Sequence, residues 1–166
     1  LLVSCFGWQA SAQIVGGTTC ANALEVTPGV YNDVFIVADS GGSANVTDAL
    51  GLDALWYSYT PIESGTININ SCISDPSPVD TRLFVYTDGC DILTLVDNDD
   101  DGCDTPNVFG SVIEEINVIG GQEYLIEWDD RWQDTTPFDW ELIFTPLPAC
   151  PEPLDVAIAP NAFDAV

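Results

Sequence analysis

The 166-residue sequence carries 27 acidic residues, two basic ones and no histidine, which gives a formal net charge of −25. A surface this negative repels nucleic acid and anionic lipid, so neither is expected as a partner. The hydrophobic fraction of 46% excludes an acidic disordered chain, because it is sufficient to build a packed core.

Residues 1–12 are interpreted as the end of a secretory signal peptide. Residues 1–8 are apolar, and Ala10-Ser11-Ala12 has the small-x-small pattern of a cleavage site, so the mature chain is predicted to begin at Gln13. A competing interpretation treats residues 2–5 as a lipobox with Cys5 lipidated, but the residues after Cys5 remain apolar. No segment reaches the ~18 apolar residues that a membrane-spanning helix needs. We therefore expect an exported protein, extracellular or at the cell surface, without a transmembrane segment.

Short apolar runs separated by turn residues predict an all-β protein. The clearest alternation is in residues 66–71, where Ile67 and Ile69 share one face of the strand. Strands are predicted at residues 34–37, 54–60, 66–71, 82–87, 93–96, 112–118, 122–128 and 140–144. About eight strands at this spacing indicate a two-sheet antiparallel β-sandwich, jelly-roll-like in topology.

The C-terminal part of the sequence has a different composition. Four prolines fall within residues 146–153, which predicts a stiff, extended linker. The sandwich is therefore assigned to residues 13–145. A new alternating apolar pattern begins after the linker, so residues 154–166 are interpreted as the truncated start of another β domain. Adjacent domains of a longer chain are expected partners.

The acidic run at residues 97–102 reads D-N-D-D-D-G, with acids at positions 1, 3 and 5 of a tight turn and glycine at position 6. This spacing is typical of a Ca²⁺ loop, because alternate carboxylates can point at one cation. It is not an EF-hand, since position 12 is Val108 and no amphipathic helix flanks the run. The alternative is a solvated acidic turn. The predicted ligands are Asp97, Asp99 and Asp101, with Asp100 and Asp104 in reserve if the register shifts by one.

The cysteines predict disulfides if the chain is exported. Removal of residues 1–12 leaves five, an odd number, so one is free or pairs outside this sequence. Cys90 and Cys103 flank the acidic run, and we predict that they pair and pre-form the turn. Zinc is disfavoured because C-x-x-C spacing and histidine are both absent.

Two further interpretations concern sugars. Trp56, Trp128 and Trp140 are expected in the core, whereas Trp132, in the polar loop 129–134, is a candidate platform for stacking a sugar ring. A carbohydrate-binding module, with a glycan or another extracellular surface ligand as partner, is therefore the alternative function. A small two-carboxylate glycosidase is the third. The chain lacks histidine and lysine, which removes the commonest general base and the Schiff-base nucleophile, and we predict that it is not an enzyme.

An ordered series of short motifs supports a family resemblance. The motifs are C-A-N-A at 20–23, L-W-Y-S-Y-T at 55–60, S-G-T at 64–66, D-T-R-L-F-V-Y at 80–86, Cys90, D-N-D-D at 97–100 and G-G-Q-E-Y-L-I at 120–126. Together they resemble the bacterial pre-peptidase C-terminal (PPC-like) domain found in secreted multidomain proteins of Bacteroidetes. C-P-E-P at 150–153 resembles the start of a fibronectin type III domain.

The resemblance implies a β-sandwich module without catalysis of its own. Such a module is expected beside peptidases, other hydrolases or adhesins, where it aids secretion, substrate contact or surface attachment. In the family pattern, Asp80-Thr81 and the acidic turn look like fold-defining positions as much as ligands.

Overall fold

The computed structural model describes residues 16–36, 53–73, 79–103, 109–129 and 136–148. These ranges contain nine strands, one short 3₁₀ helix at Cys20–Asn22 and one helical turn, α1, at Gly89–Ile92. Neither of these two helices is long and apolar enough to cross a membrane. The strands are β1 Leu24–Glu25, β2 Gly29–Val34, β3 Ala54–Tyr59, β4 Gly65–Asn70, β5 Arg82–Thr87, β6 Thr94–Asp100, β7 Val112–Val118, β8 Tyr124–Asp129 and β9 Phe138–Pro146.

The strands form two sheets that pack face to face. One sheet has the order β1-β3-β8-β5-β6 and the other β2-β9-β4-β7. All neighbours are antiparallel except β1 and β3. Without the two-residue β1, each sheet has four strands, and the chain crosses between sheets at every connection except β5–β6. This is the double Greek-key order of a jelly roll. The predicted all-β sandwich is confirmed.

The main core fills the space between the sheets. In β4 the alternation of apolar and polar residues sends Ile67 and Ile69 inward and leaves the intervening side chains half-exposed. Trp128 and Trp140 are fully buried there, and the ring of Tyr31 stacks on Trp140 with centroids 4.5 Å apart. This burial confirms the prediction for both tryptophans.

The five-stranded sheet is also buried on its outer face. Strands β5 and β8 are buried at every position, which explains their continuous apolar runs. A second, smaller cluster on this face includes Trp56, Phe84 and Tyr86. Trp56 is only 2% exposed, as predicted, although it lies outside the main core.

Two predicted strands differ from the observed ones. The strand predicted at 34–37 lies earlier, at β2, where pairing with β9 outweighs the poor strand propensity of Asn32 and Asp33. A bulge between Tyr31 and Val34 accommodates the left-handed backbone of Asp33, whose φ is 53°. Strand β6 does not end at residue 96 but continues through the acidic run to Asp100, because β5 pairs with it along its length.

The disulfides are Cys20–Cys90 and Cys72–Cys103, so the predicted Cys90–Cys103 pairing is wrong. Cys90 precedes β6 and Cys103 follows it, and seven extended residues separate their positions by about 20 Å. A disulfide requires Cα atoms within about 7 Å, and both observed pairs meet this limit at 5.7 Å. Cys5 and Cys150 lie outside the described residues.

Candidate metal centre

The ends of β4 and β6 and the beginnings of β5 and β7 meet at one end of the sandwich, here called the acidic end. The Cys72–Cys103 disulfide joins the segment after β4 to the turn after β6, and therefore ties one sheet to the other. The acidic run ends at this covalent link. Its turn is consequently held on both sides, by a strand pair and by a disulfide.

Three buried hydroxyl residues fix the backbone beneath the acidic end. Ser71, Thr81 and Ser111 are each at most 1% exposed. The hydroxyls of Ser71 and Thr81 lie 2.9 Å apart, and both accept hydrogen bonds from the backbone N–H of Ser111, at 2.9 and 3.0 Å. Buried hydroxyls bonded in this way tie the three segments together. Asp80, adjacent to Thr81, is thereby held in place.

Asp99 shapes the turn that follows β6. Its Oδ2 atom accepts hydrogen bonds from the backbone N–H groups of Gly102, at 2.9 Å, and Val112, at 2.8 Å. A Cβ atom at Gly102 would lie 2.2 Å from the same Oδ2, so a larger residue there would have to displace this carboxylate. Asp101, which lies between Asp99 and Gly102 in the chain, has a left-handed backbone with φ of 72°. One carboxylate therefore closes the turn from inside the sandwich.

Asp80, Asp100 and Asp101 form a cluster of carboxylates at this turn. One carboxylate oxygen from each lies within 4.8 Å of the other two, and this is the one such group of three or more among the residues that the structure describes. Asp80 is half-buried, and the other two are exposed. The cluster thus combines one carboxylate from the segment before β5 with two from the end of β6 and the turn that follows it.

A buried ion pair lies next to the cluster. Arg82 is the strand partner of Asp100 and also of Asp129 on β8. The Nε atom of Arg82 donates to both carboxylate oxygens of Asp129, at 2.9 and 3.0 Å, and the two residues are 4% and 0% exposed. The guanidinium also lies over the Phe84 ring, 5.2 Å from its centroid. These contacts position Arg82, which is the only basic residue in the described ranges.

The geometry of the cluster fits a hard divalent cation. Ca²⁺ binds oxygen at 2.3–2.6 Å, so two oxygens that contact the same ion lie at most about 5.2 Å apart. The three carboxylate oxygens of the cluster lie within 4.8 Å of one another, so a single ion could contact all three. Three carboxylates supply part of the six to eight oxygens, and backbone carbonyls and water would supply the rest. Asp80, Asp100 and Asp101 are the residues that would hold the ion.

The structure brings together only part of the predicted ligand set. Asp100 and Asp101 join the cluster, but Asp97 and Asp99 do not. The run is a strand as far as Asp100, so the side chain of Asp99 points to the face opposite that of Asp100. The carboxylate of Asp97 instead accepts a hydrogen bond from the adjacent backbone N–H of Asn98, at 2.8 Å. The predicted reserve ligand Asp104 lies outside the described residues.

Asp80 is the member of the cluster that the sequence analysis did not assign as a candidate ligand. Strand β5, α1 and the first residues of β6 separate it from the acidic run, so loop spacing alone cannot identify it. Its only sequence signal is its place in the D-T-R-L-F-V-Y motif of the family resemblance. Trp132, the predicted sugar platform, lies outside the described residues.

Comparisons with known proteins do not identify a family for this chain. No protein-family model matches it, and no curated protein matches it either. The similarity to PPC-like and fibronectin type III domains therefore stays a prediction from the sequence motifs.

Proposed function

We propose that this chain is a non-catalytic extracellular accessory module, a β-sandwich stabilised by Ca²⁺, that serves a secreted adhesin or hydrolase. Its role would be surface attachment, substrate contact or assistance in secretion. The observation that carries the proposal is the convergence of Asp80, Asp100 and Asp101 at the disulfide-bonded acidic end.

The electrostatics of the cluster favour a bound cation. Two carboxylates about 5 Å apart repel each other by about 1 kcal/mol even at the dielectric constant of water. Three such pairs are held together here by a strand, a disulfide and the buried hydroxyls rather than by mutual attraction. A divalent ion would replace this repulsion with attraction, and Ca²⁺ binding would therefore stabilise the folded state.

An extracellular location agrees with two features of the site. Two disulfides within the described residues are typical of an oxidising compartment. A site with three carboxylates, two of them exposed, is expected to bind Ca²⁺ with a Kd of about 10⁻⁴–10⁻³ M, the range of extracellular modules. Such a site would be filled outside the cell and largely empty at cytosolic calcium levels.

The non-catalytic assignment is supported by the chemistry of the side chains. The sequence has neither histidine nor lysine, so a nucleophile activated by histidine and a Schiff-base lysine are unavailable to it. The three clustered carboxylates are better explained as oxygen ligands, because three of them converge at one point, whereas glycoside hydrolysis uses two carboxylates that flank a bond of the substrate.

The experiment compares the melting temperature with and without Ca²⁺ in three variants of equal charge change. In the parent protein, Ca²⁺ at a hundredfold excess over Kd should add about 2.7 kcal/mol of stability. Asp80→Asn and Asp101→Asn should each remove most of this increment. Asp97→Asn, which alters the same acidic run outside the cluster, should retain it.

The controls separate binding from screening of charge. NaCl of equal ionic strength screens the net charge of −25 without occupying a site, so its effect should be small and similar in all variants. A parent protein that melts at the same temperature with Ca²⁺ and with chelator would refute the proposal. If Asp97→Asn lost as much of the calcium-dependent stabilisation as Asp80→Asn, that stabilisation would reflect general charge neutralisation and not binding at the cluster.

A further inference from the structure

Asp99 lies in the middle of the acidic run but is not a member of the carboxylate cluster. Pairing of β6 with β5 places its side chain on the face opposite that of Asp100. There it is half-buried, and its Oδ2 atom accepts hydrogen bonds from the backbone N–H groups of Gly102 and Val112. The calcium site proposed above therefore leaves this carboxylate without a role.

The hydrogen bond from Gly102 closes the turn that carries two of the clustered carboxylates. It joins residue 102 to residue 99 at 2.9 Å, so the two residues that it encloses are Asp100 and Asp101. Asp101 has a left-handed backbone, with φ of 72°, which is unfavourable for a residue with a side chain and needs support from its surroundings. The closed turn supplies that support.

The hydrogen bond from Val112 attaches the same turn to the opposite sheet. Val112 is the first residue of β7, and its backbone nitrogen lies 2.8 Å from Oδ2 of Asp99, which belongs to β6 in the other sheet. Hydrogen bonds to a carboxylate are shorter and stronger than those to a neutral acceptor. One carboxylate oxygen thus fixes both the shape of the turn and its position on the sandwich.

We propose that Asp99 is a positioning residue of the calcium site, which sets the affinity for Ca²⁺ without contacting the ion. This role presupposes that Asp80, Asp100 and Asp101 bind the ion, and it therefore rests on the proposed function. Groups behind the ligands of a metal ion orient those ligands, and their loss typically weakens metal binding by about 10–100-fold. The central acid of the D-x-D-x-D-G pattern then serves the site, although not as a ligand.

Gly102 completes this arrangement, because its lack of a side chain leaves room for the Asp99 carboxylate. A Cβ atom at Gly102 would have three atoms of Asp99 as its nearest neighbours beyond the adjoining residues, at 2.2, 2.8 and 2.9 Å. Gly102 does not have a positive φ, so alanine would bring no backbone strain at this position. Gly102→Ala should therefore act on the site through one contact, by displacing Asp99.

Calorimetric titration of the folded 166-residue chain with Ca²⁺ tests the proposal, because it measures affinity separately from stability. Asp99→Ala removes both hydrogen bonds and should weaken Ca²⁺ binding by about 10–100-fold. Asp99→Asn keeps a side-chain oxygen that can accept both N–H groups, so its Kd should stay close to that of the control Asp97→Asn, which has the same charge. Asp101→Asn, which alters a ligand, should weaken binding much more than Asp99→Asn does.

Gly102→Ala provides a second test that leaves Asp99 in the chain. It should weaken Ca²⁺ binding in the parent protein but add little to the effect of Asp99→Ala, because both changes break the same contact. Effects that add in the double variant would overturn the proposal. If Asp99→Ala does not fold, the other two variants decide the question, since Gly102→Ala should weaken binding and Asp99→Asn should not.

The luminescence lifetime of Eu³⁺, used in place of Ca²⁺ at saturating concentration, counts the water molecules bound to the ion. Asp99→Ala should leave this number unchanged, whereas loss of a ligand in Asp101→Ala should raise it by about one. A rise in Asp99→Ala, or an Asp99→Asn affinity as low as that of Asp99→Ala, would overturn the proposal. An Asp99→Ala variant that binds Ca²⁺ as tightly as Asp97→Asn would overturn it as well. Failure of the calcium proposal is distinguishable, because the parent protein itself would then bind no Ca²⁺, and both proposals would fall.

Discussion

Removal of the Cys72–Cys103 disulfide should both destabilise the fold and weaken the response to Ca²⁺. The bond closes a loop with a sequence separation of 31, for which the chain-entropy model gives about 3.7 kcal/mol. For a domain of this size that loss lowers the melting temperature by about 10–20 °C. Because the bond holds the turn after β6, the Cys72→Ser, Cys103→Ser variant should also lose part of the calcium increment, which is the rise in melting temperature and stability on adding Ca²⁺.

The second disulfide provides the matched control. Cys20–Cys90 spans a separation of 70, so its removal should cost about 4.4 kcal/mol by the same model. It joins the 3₁₀ helix to α1, at the end of β6 opposite the turn. Thermal melts by circular dichroism should therefore show a comparable loss of stability with an intact calcium increment. Equal calcium increments in the two double-serine variants would refute the assignment of the acidic end as the binding site.

Three further predictions concern buried polar groups. Asp129→Asn should destabilise the protein by about 3 kcal/mol in denaturant unfolding, because it leaves the buried charge of Arg82 without this counter-ion. The exposed control Asp91→Asn should change the free energy of unfolding by less than about 0.5 kcal/mol. Thr81→Val should cost about 1–3 kcal/mol of stability and reduce the stabilisation by Ca²⁺, because it breaks the hydroxyl network beside Asp80. If the variant were still stabilised by Ca²⁺ as much as the parent, the hydroxyl network would play no part in holding the calcium site. Burial raises the pKa of Tyr57 above its ordinary value of 10.0. The unfolded chain therefore loses this proton at lower pH than the folded one, so stability should fall as the pH rises above about 10, and Tyr57→Phe should flatten that fall.

The fold was predictable where side-chain periodicity and burial agree. In β4, Ile67 and Ile69 alternate with polar residues, and in β5 a continuous apolar run reports burial on both faces. The β1 strand was missed because two residues are too few to show a period. Residues 29–33 were missed because strand pairing, not local propensity, makes them extended.

The candidate site was only partly predictable, for two reasons of geometry. The D-x-D-x-D-G pattern assumes a loop, but pairing with β5 holds the acidic run in a strand, which sends Asp99 and Asp100 to opposite faces. Proximity in the chain also cannot show which residues from another segment complete a cluster, and so Asp80 was not assigned. The disulfide prediction failed similarly, because an intervening strand keeps Cys90 and Cys103 apart.

The most direct test of the central claim is a crystal structure of the protein grown with millimolar Ca²⁺, with the ion located by its anomalous signal. The cluster predicts one ion bound by carboxylate oxygens of Asp80, Asp100 and Asp101 at 2.3–2.6 Å. Calcium bound elsewhere on the chain, or a cluster that contains only water at a calcium concentration that raises the melting temperature, would contradict the account.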